Sequence, residues 1–116
     1  MNALQYEYHD AELLDVSIGP RHETTLTFDL YPIFYPDKPR VAVHLGGIFN
    51  FDSVTRYVGV IRQDSIDADS YKARCDTFQM DEKRPSKEND MHVFLELSPY
   101  GSIRIHCRHV SETRIQ

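Results

Sequence analysis

Met91-His92-Val93-Phe94-Leu95-Glu96-Leu97, Ser98-Pro99-Tyr100-Gly101-Ser102, Ile103-Arg104-Ile105-His106-Cys107-Arg108: two apolar-alternating runs flank a turn segment, and this stretch decides the fold. Met91, Val93, Leu95 and Leu97 recur at every second position, as do Ile103, Ile105 and Cys107, which is the spacing of strands buried on one face. Pro99-Tyr100-Gly101 fits a three-residue hairpin loop, a type I turn with Pro at its first central position and Gly in the left-handed region. That turn predicts Ser98 opposite Ser102, Leu97 opposite Ile103, Leu95 opposite Ile105 and Val93 opposite Cys107. On the outer face it predicts Glu96 opposite Arg104, a favourable charge pair, with Phe94 opposite His106 and His92 opposite Arg108.

The same period runs upstream. Leu14, Val16 and Ile18 share one strand face; after Gly19-Pro20-Arg21-His22, so do Thr24, Leu26, Phe28 and Leu30. Pairing Ile18 with Thr24 sets Val16 against Leu26 and Leu14 against Phe28. Tyr31 to Pro39 contains three prolines, which fix φ and remove backbone donors, so it reads as an aromatic loop rather than a central strand. Val41, Val43 and Leu45 resume the alternation until Gly46-Gly47, a bulge or sharp bend. Val54 to Ile61 is rich in β-branched residues and reads as a strand, although Ser53 would also serve to cap a helical turn. Asp64 to Ser70 is expected to loop out, Lys72 to Met80 to return as an edge strand, and Asp81 to Asp90 to be an exposed connection.

Six or seven short strands without a long helix, over a chain of 116 residues, predict one all-β domain spanning residues 1–116. The expected form is an antiparallel sandwich or a small, partly open barrel. A composition 41% hydrophobic and 27% charged is that of a globular chain. The net charge of −5 disfavours sequence-independent binding to nucleic acid or anionic membrane, and suits a basic protein partner. Met1 to Asp10 lacks the basic and apolar regions of a secretory signal and no apolar run could span a bilayer, so the cytoplasm is the expected compartment.

No residue set points to catalysis or to a cofactor. His9-Asp10 invites comparison with the metal-binding pair of phosphohydrolases, but that chemistry needs a helical domain and further ligands, and Asp10 reads better as a tether for the first strand. His106, Cys107 and His109 are adjacent in sequence, yet strand alternation sends His106 away from the other two, so no metal site is expected. Cys75 and Cys107 lack a C-x-x-C spacing and are expected to be buried thiols. Protonating all six histidines would carry the net charge from −5 to +1, which scattered surface histidines also explain. Two contact surfaces stand out for a partner: Tyr31, Phe34 and Tyr35 in the Pro-rich loop, and the hairpin's outer face with His92, Phe94, His106 and Arg108. Against the first, Ile33 and Phe34 would equally serve to plug one end of the core.

His9-Asp10-Ala11-Glu12-Leu13-Leu14, the strand pattern after it, and Ser98-Pro99-Tyr100-Gly101-Ser102-Ile103 together resemble small bacterial proteins of which some are similar to the all-β immunity families of polymorphic toxin systems. The resemblance spans most of the chain. It implies a cytoplasmic binder that neutralises a toxin by occupying it, without catalysis, and it carries over no particular functional residue. The expected function is therefore a non-enzymatic protein-binding module. The alternatives are a β-barrel that binds or transforms a small ligand in its interior, and a homodimer joined along the Lys72–Met80 edge.

Overall fold

A computed structural model describes residues 4–64, 73–81 and 90–115. Seven antiparallel strands and one helix follow in the order β1 (Glu12–Gly19), β2 (Glu23–Asp29), β3 (Arg40–Gly46), α1 (Phe51–Asp64), β4 (Ala73–Met80), β5 (Met91–Ser98), β6 (Gly101–Cys107) and β7 (His109–Arg114). All seven strands belong to one sheet, ordered β6-β5-β4-β1-β2-β3-β7. The all-β class expected from alternation holds, as an open sheet rather than two packed ones.

One connection governs the shape of that sheet. β6 and β7 occupy its opposite edges, yet only Arg108 separates them in sequence. In a flat sheet six inter-strand spacings would hold the edges about 29 Å apart, whereas two residue steps reach about 7 Å. The sheet must therefore coil until the end of β6 meets the start of β7, so the open sheet is strongly curled. The junction is bonded on both sides: Arg108 N–H donates to Gly46 O at 3.0 Å, and Phe49 N–H donates to His106 O at 2.7 Å. Gly47 fits here because its φ is +60° and a Cβ would meet the Arg108 side chain at 3.0 Å.

Bulges assist the coiling. On β1 the pairing keeps Ile18 opposite Thr24 and Val16 opposite Leu26, as alternation predicts, but an irregularity between Leu13 and Asp15 sets Leu13, not Leu14, opposite Phe28. The extra residue reverses the alternation, so Ala11 and Leu13 are buried and Leu14 is only half-buried. β4 carries a matching irregularity between Cys75 and Thr77, beside the short stretch where Leu13 pairs with Ala73. Two bulges near one junction increase the local twist of both strands there.

The other departures have physical causes. Val54 to Ile61 is not a strand but the centre of α1, because Val54, Val58 and Ile61 recur at helical spacing and together form the helix's buried stripe. The helix packs against β1 and β6, and its start docks on the β1–β2 turn, where His22 stacks on Phe51 with ring centroids 4.6 Å apart. β4 is not an edge strand in the sheet order; it lies between β5 and β1, although only Ala73 and Arg74 pair with β1. Asp64, expected to begin a loop, instead ends α1; the rest of that expected loop to Ser70, Lys72 and most of the connection Asp81–Asp90 lie outside the described residues.

The C-terminal hairpin forms with a register two residues away from the expected one. Leu97 pairs with Gly101, Leu95 with Ile103, Val93 with Ile105, and Met91 with Cys107. The turn sits one residue earlier than the sequence predicts: Tyr100 N–H donates to Leu97 O at 2.7 Å, the Ser98–Pro99 peptide is cis, and Gly101 takes φ +86° at the start of β6. Since side chains alternate with a period of two, this shift leaves every inner residue inside. Partners change on both faces, but no residue changes face.

One continuous core results, including Tyr8, Phe28 and Phe78, whose rings meet at centroid distances of 5.1, 5.1 and 5.9 Å. Glu112 on β7 holds the N-terminal segment over it, its carboxylate accepting from Gln5 N–H (2.7 Å), Tyr6 N–H (3.2 Å) and the Tyr8 hydroxyl (2.6 Å). Burial, then that carboxylate, push the Tyr8 phenol far above its usual range. Glu112→Ala leaves the buried Tyr8 hydroxyl without its acceptor and is expected to lower stability by about 1–3 kcal/mol, more than Tyr8→Phe, in urea unfolding. Gly47→Ala is expected to lose about 1–2 kcal/mol in the same measurement, from left-handed backbone strain.

Candidate functional site

The altered register rebuilds the outer face of the hairpin. Glu96 faces Ser102, Phe94 faces Arg104, and His92 faces His106. The expected Glu96–Arg104 pair is not formed; instead the Arg104 guanidinium lies 5.7 Å from the centre of the Phe94 ring and donates to Asp81 at 2.9 Å. Directly opposed, the imidazoles of His92 and His106 stack nearly parallel, 9° apart with centroids at 4.2 Å. Asp90 lies just before the start of β5, and its carboxylate contacts His106 Nε2 on this face. One ligand atom from each of Asp90, His92 and His106 lies within 4.8 Å of the others. The site is half-buried: the side chains of His106 and Asp90 are 34% and 18% exposed.

Residues 49 and 50, where the chain passes from β3 into α1, hold His106 in place. The Asn50 side chain bridges two residues of β6, accepting from His106 N–H (2.9 Å) and donating to Arg104 O (2.7 Å). The Phe49 ring packs against His106 at 4.4 Å, and the Arg108 guanidinium lies 5.0 Å from the centre of the Phe49 ring. Of the residues expected on one contact surface, His106 and Arg108 are linked through Phe49 and His92 joins by its stack on His106, while Phe94 belongs with Arg104. Phe49, Asn50 and Asp90 were not legible as partners of this site. Asp90 sits in a run read as a plain exposed connection, and Asn50 acts through a contact 56 residues away in sequence.

The Tyr31–Pro39 loop is a separate surface. It closes on itself, with Phe34 and Tyr35 N–H donating to Tyr31 O and Lys38 N–H to Tyr35 O. Tyr35 is structural: its hydroxyl accepts from Glu7 N–H at 2.9 Å and its ring meets Tyr6 edge-on. Tyr31 is half-buried and packs edge-on against Phe34 at 5.7 Å. Ile33 and Phe34 do not plug the core; they are 74% and 47% exposed, because the three prolines turn the chain outward between β2 and β3.

A third feature is a surface cleft of about 850 Å³ between the N-terminal segment and β4, lined among others by Tyr6, Glu7, His9, Phe94 and Arg104. His9 serves as a tether at its rim, Nδ1 lying 2.9 Å from Asp76 O; that contact, then Asp10, raises its pKa. Asp10 N–H donates to Cys75 O, and its carboxylate lies 3.9 Å from Arg74, consistent with an anchoring role at the head of β1. Among the described residues, no helix is long and apolar enough to cross a membrane.

No protein family, curated protein or solved structure matches this chain.

Both cysteines are buried on the inner face, as expected. Burial pushes the Cys107 thiol up to about 11 and the Cys75 thiol higher still, since a thiolate would lose its hydration there. Neither thiol is expected to react with a disulfide reagent at pH 8 in the folded protein, and both are expected to react in denaturant. Rapid modification of the native chain would show that the core opens.

Proposed function

We propose that the protein is a non-enzymatic protein-binding module that engages a basic partner through the tip of the β2–β3 loop. The observation that carries this reading is the exposure of Ile33 and Phe34 on a backbone closed by its own hydrogen bonds. Apolar side chains presented by a rigid platform bind with little loss of conformational freedom, which is what an interface anchor needs. Covering the area they still expose would contribute roughly 1–2 kcal/mol each, enough to anchor a small interface. The net charge of −5 would steer a basic partner toward the surface. The resemblance to immunity proteins suggests the class of partner, a toxin held inactive by occupation in the cytoplasm.

The test is binding to the product of the adjacent gene, measured by calorimetry with wild-type protein and with an Ile33→Asp/Phe34→Asp variant. The wild type is expected to form a stoichiometric complex that weakens as salt rises. The double variant should bind at least about tenfold more weakly, the loss expected when central apolar anchors are removed. A complex of unchanged affinity in the variant would rule out the loop as the contact.

A further inference from the structure

We infer that Asp90, His92 and His106 form a binding site for a divalent first-row transition-metal ion of the zinc type. This site is independent of the loop contact proposed above. Its geometry starts from the backbone: position 106 stands directly across the ladder from 92 and Asp90 lies just before β5, so one donor atom of each lies within 4.8 Å of the others on the outer face, and a turn of the stacked rings aims them at a common ion.

The donor set selects the ion. Two imidazoles and one carboxylate suit zinc, nickel, copper or ferrous iron, whereas magnesium and calcium prefer all-oxygen sites. Cys107 is next to His106 in sequence but points into the core, so no thiolate takes part. Three protein ligands on a half-exposed surface leave a fourth position for water, the pattern of an open rather than a closed zinc site.

The surroundings hold the ligands ready. Both backbone groups of His106 are engaged, N–H by the Asn50 side chain and C=O by Phe49 N–H, while its ring is packed between neighbours. An ion needs both imidazoles neutral and the carboxylate ionised, so its binding is coupled to the loss of any proton these groups carry. Asp90 precedes the first residue of β5, so its carboxylate can make room for the ion without breaking a ladder bond.

Isothermal titration of the metal-free full chain with Zn²⁺, and separately with Mg²⁺, tests the assignment. One Zn²⁺ per chain is expected to bind in the micromolar range or tighter, with release of a proton, and Mg²⁺ is expected not to bind. His92→Gln and Asp90→Asn should each weaken Zn²⁺ by at least about tenfold, since even the outer partners of metal ligands matter that much. Circular dichroism of each variant checks that it has folded. His44 and His109, which flank Gly46, provide the control: His44→Gln/His109→Gln should leave Zn²⁺ binding unchanged. Absence of Zn²⁺ binding, retention of full affinity in folded His92→Gln, or loss of binding in the control variant would each overturn the site.

Discussion

The single residue between β6 and β7 is the constraint on which the molecule depends. Because Arg108 alone joins the two edges of a seven-stranded sheet, the sheet cannot lie flat, and its concave face has to be filled. The helix meets part of that need with Val54, Val58 and Ile61, and the N-terminal segment meets another part with Tyr8. Neither element has a comparable apolar surface to bury by itself. The same junction brings residues 46–50 against the end of β6, so the bend after β3, the start of the helix and the backbone of His106 are fixed together.

Strand alternation was legible because burial on one face imposes it on every residue of a strand. The inner residues of β2, β3, β5 and β6 could be read directly from their spacing. What alternation does not encode is the offset between strands by even numbers of residues. At the C-terminal hairpin two signals agreed on a register, the Pro-Gly turn and a Glu96–Arg104 pair, yet the backbone adopts another. An exposed ion pair is worth at most about 1 kcal/mol, less than the packing of the inner faces, which a two-residue shift hardly changes in kind. The bulges at Leu14 and Asp76 escaped for a related reason. An extra residue that serves the bending of the whole sheet leaves no local mark.

The helix was misread through composition. Valine and isoleucine are poor helix formers, but propensity is a weak prior beside the burial of a continuous stripe. Had spacing been weighed over β-branched content, Phe51, Val54, Val58 and Ile61 would have shown the stripe. The histidine cluster was not legible in the same sense. Its three members are found only once register is known, since moving β6 by two residues takes His106 from Phe94 to His92. Phe34, by contrast, was legible as a candidate from aromatic and proline content, whereas Ile33 was read as a plug for the core, and the exposure of both had to be learned from the fold.

Core and candidate surfaces are divided between opposite faces of the same strands. Val93, Ile105 and Cys107 point inward and fix the hairpin by burial, while His92 and His106, beside them in sequence, point outward and add little apolar area to the core. A strand built this way can exchange its outer residues without turning over, because the inner set holds that face against the core. It follows that an opposed histidine pair beside a carboxylate is not something the fold requires for its own stability.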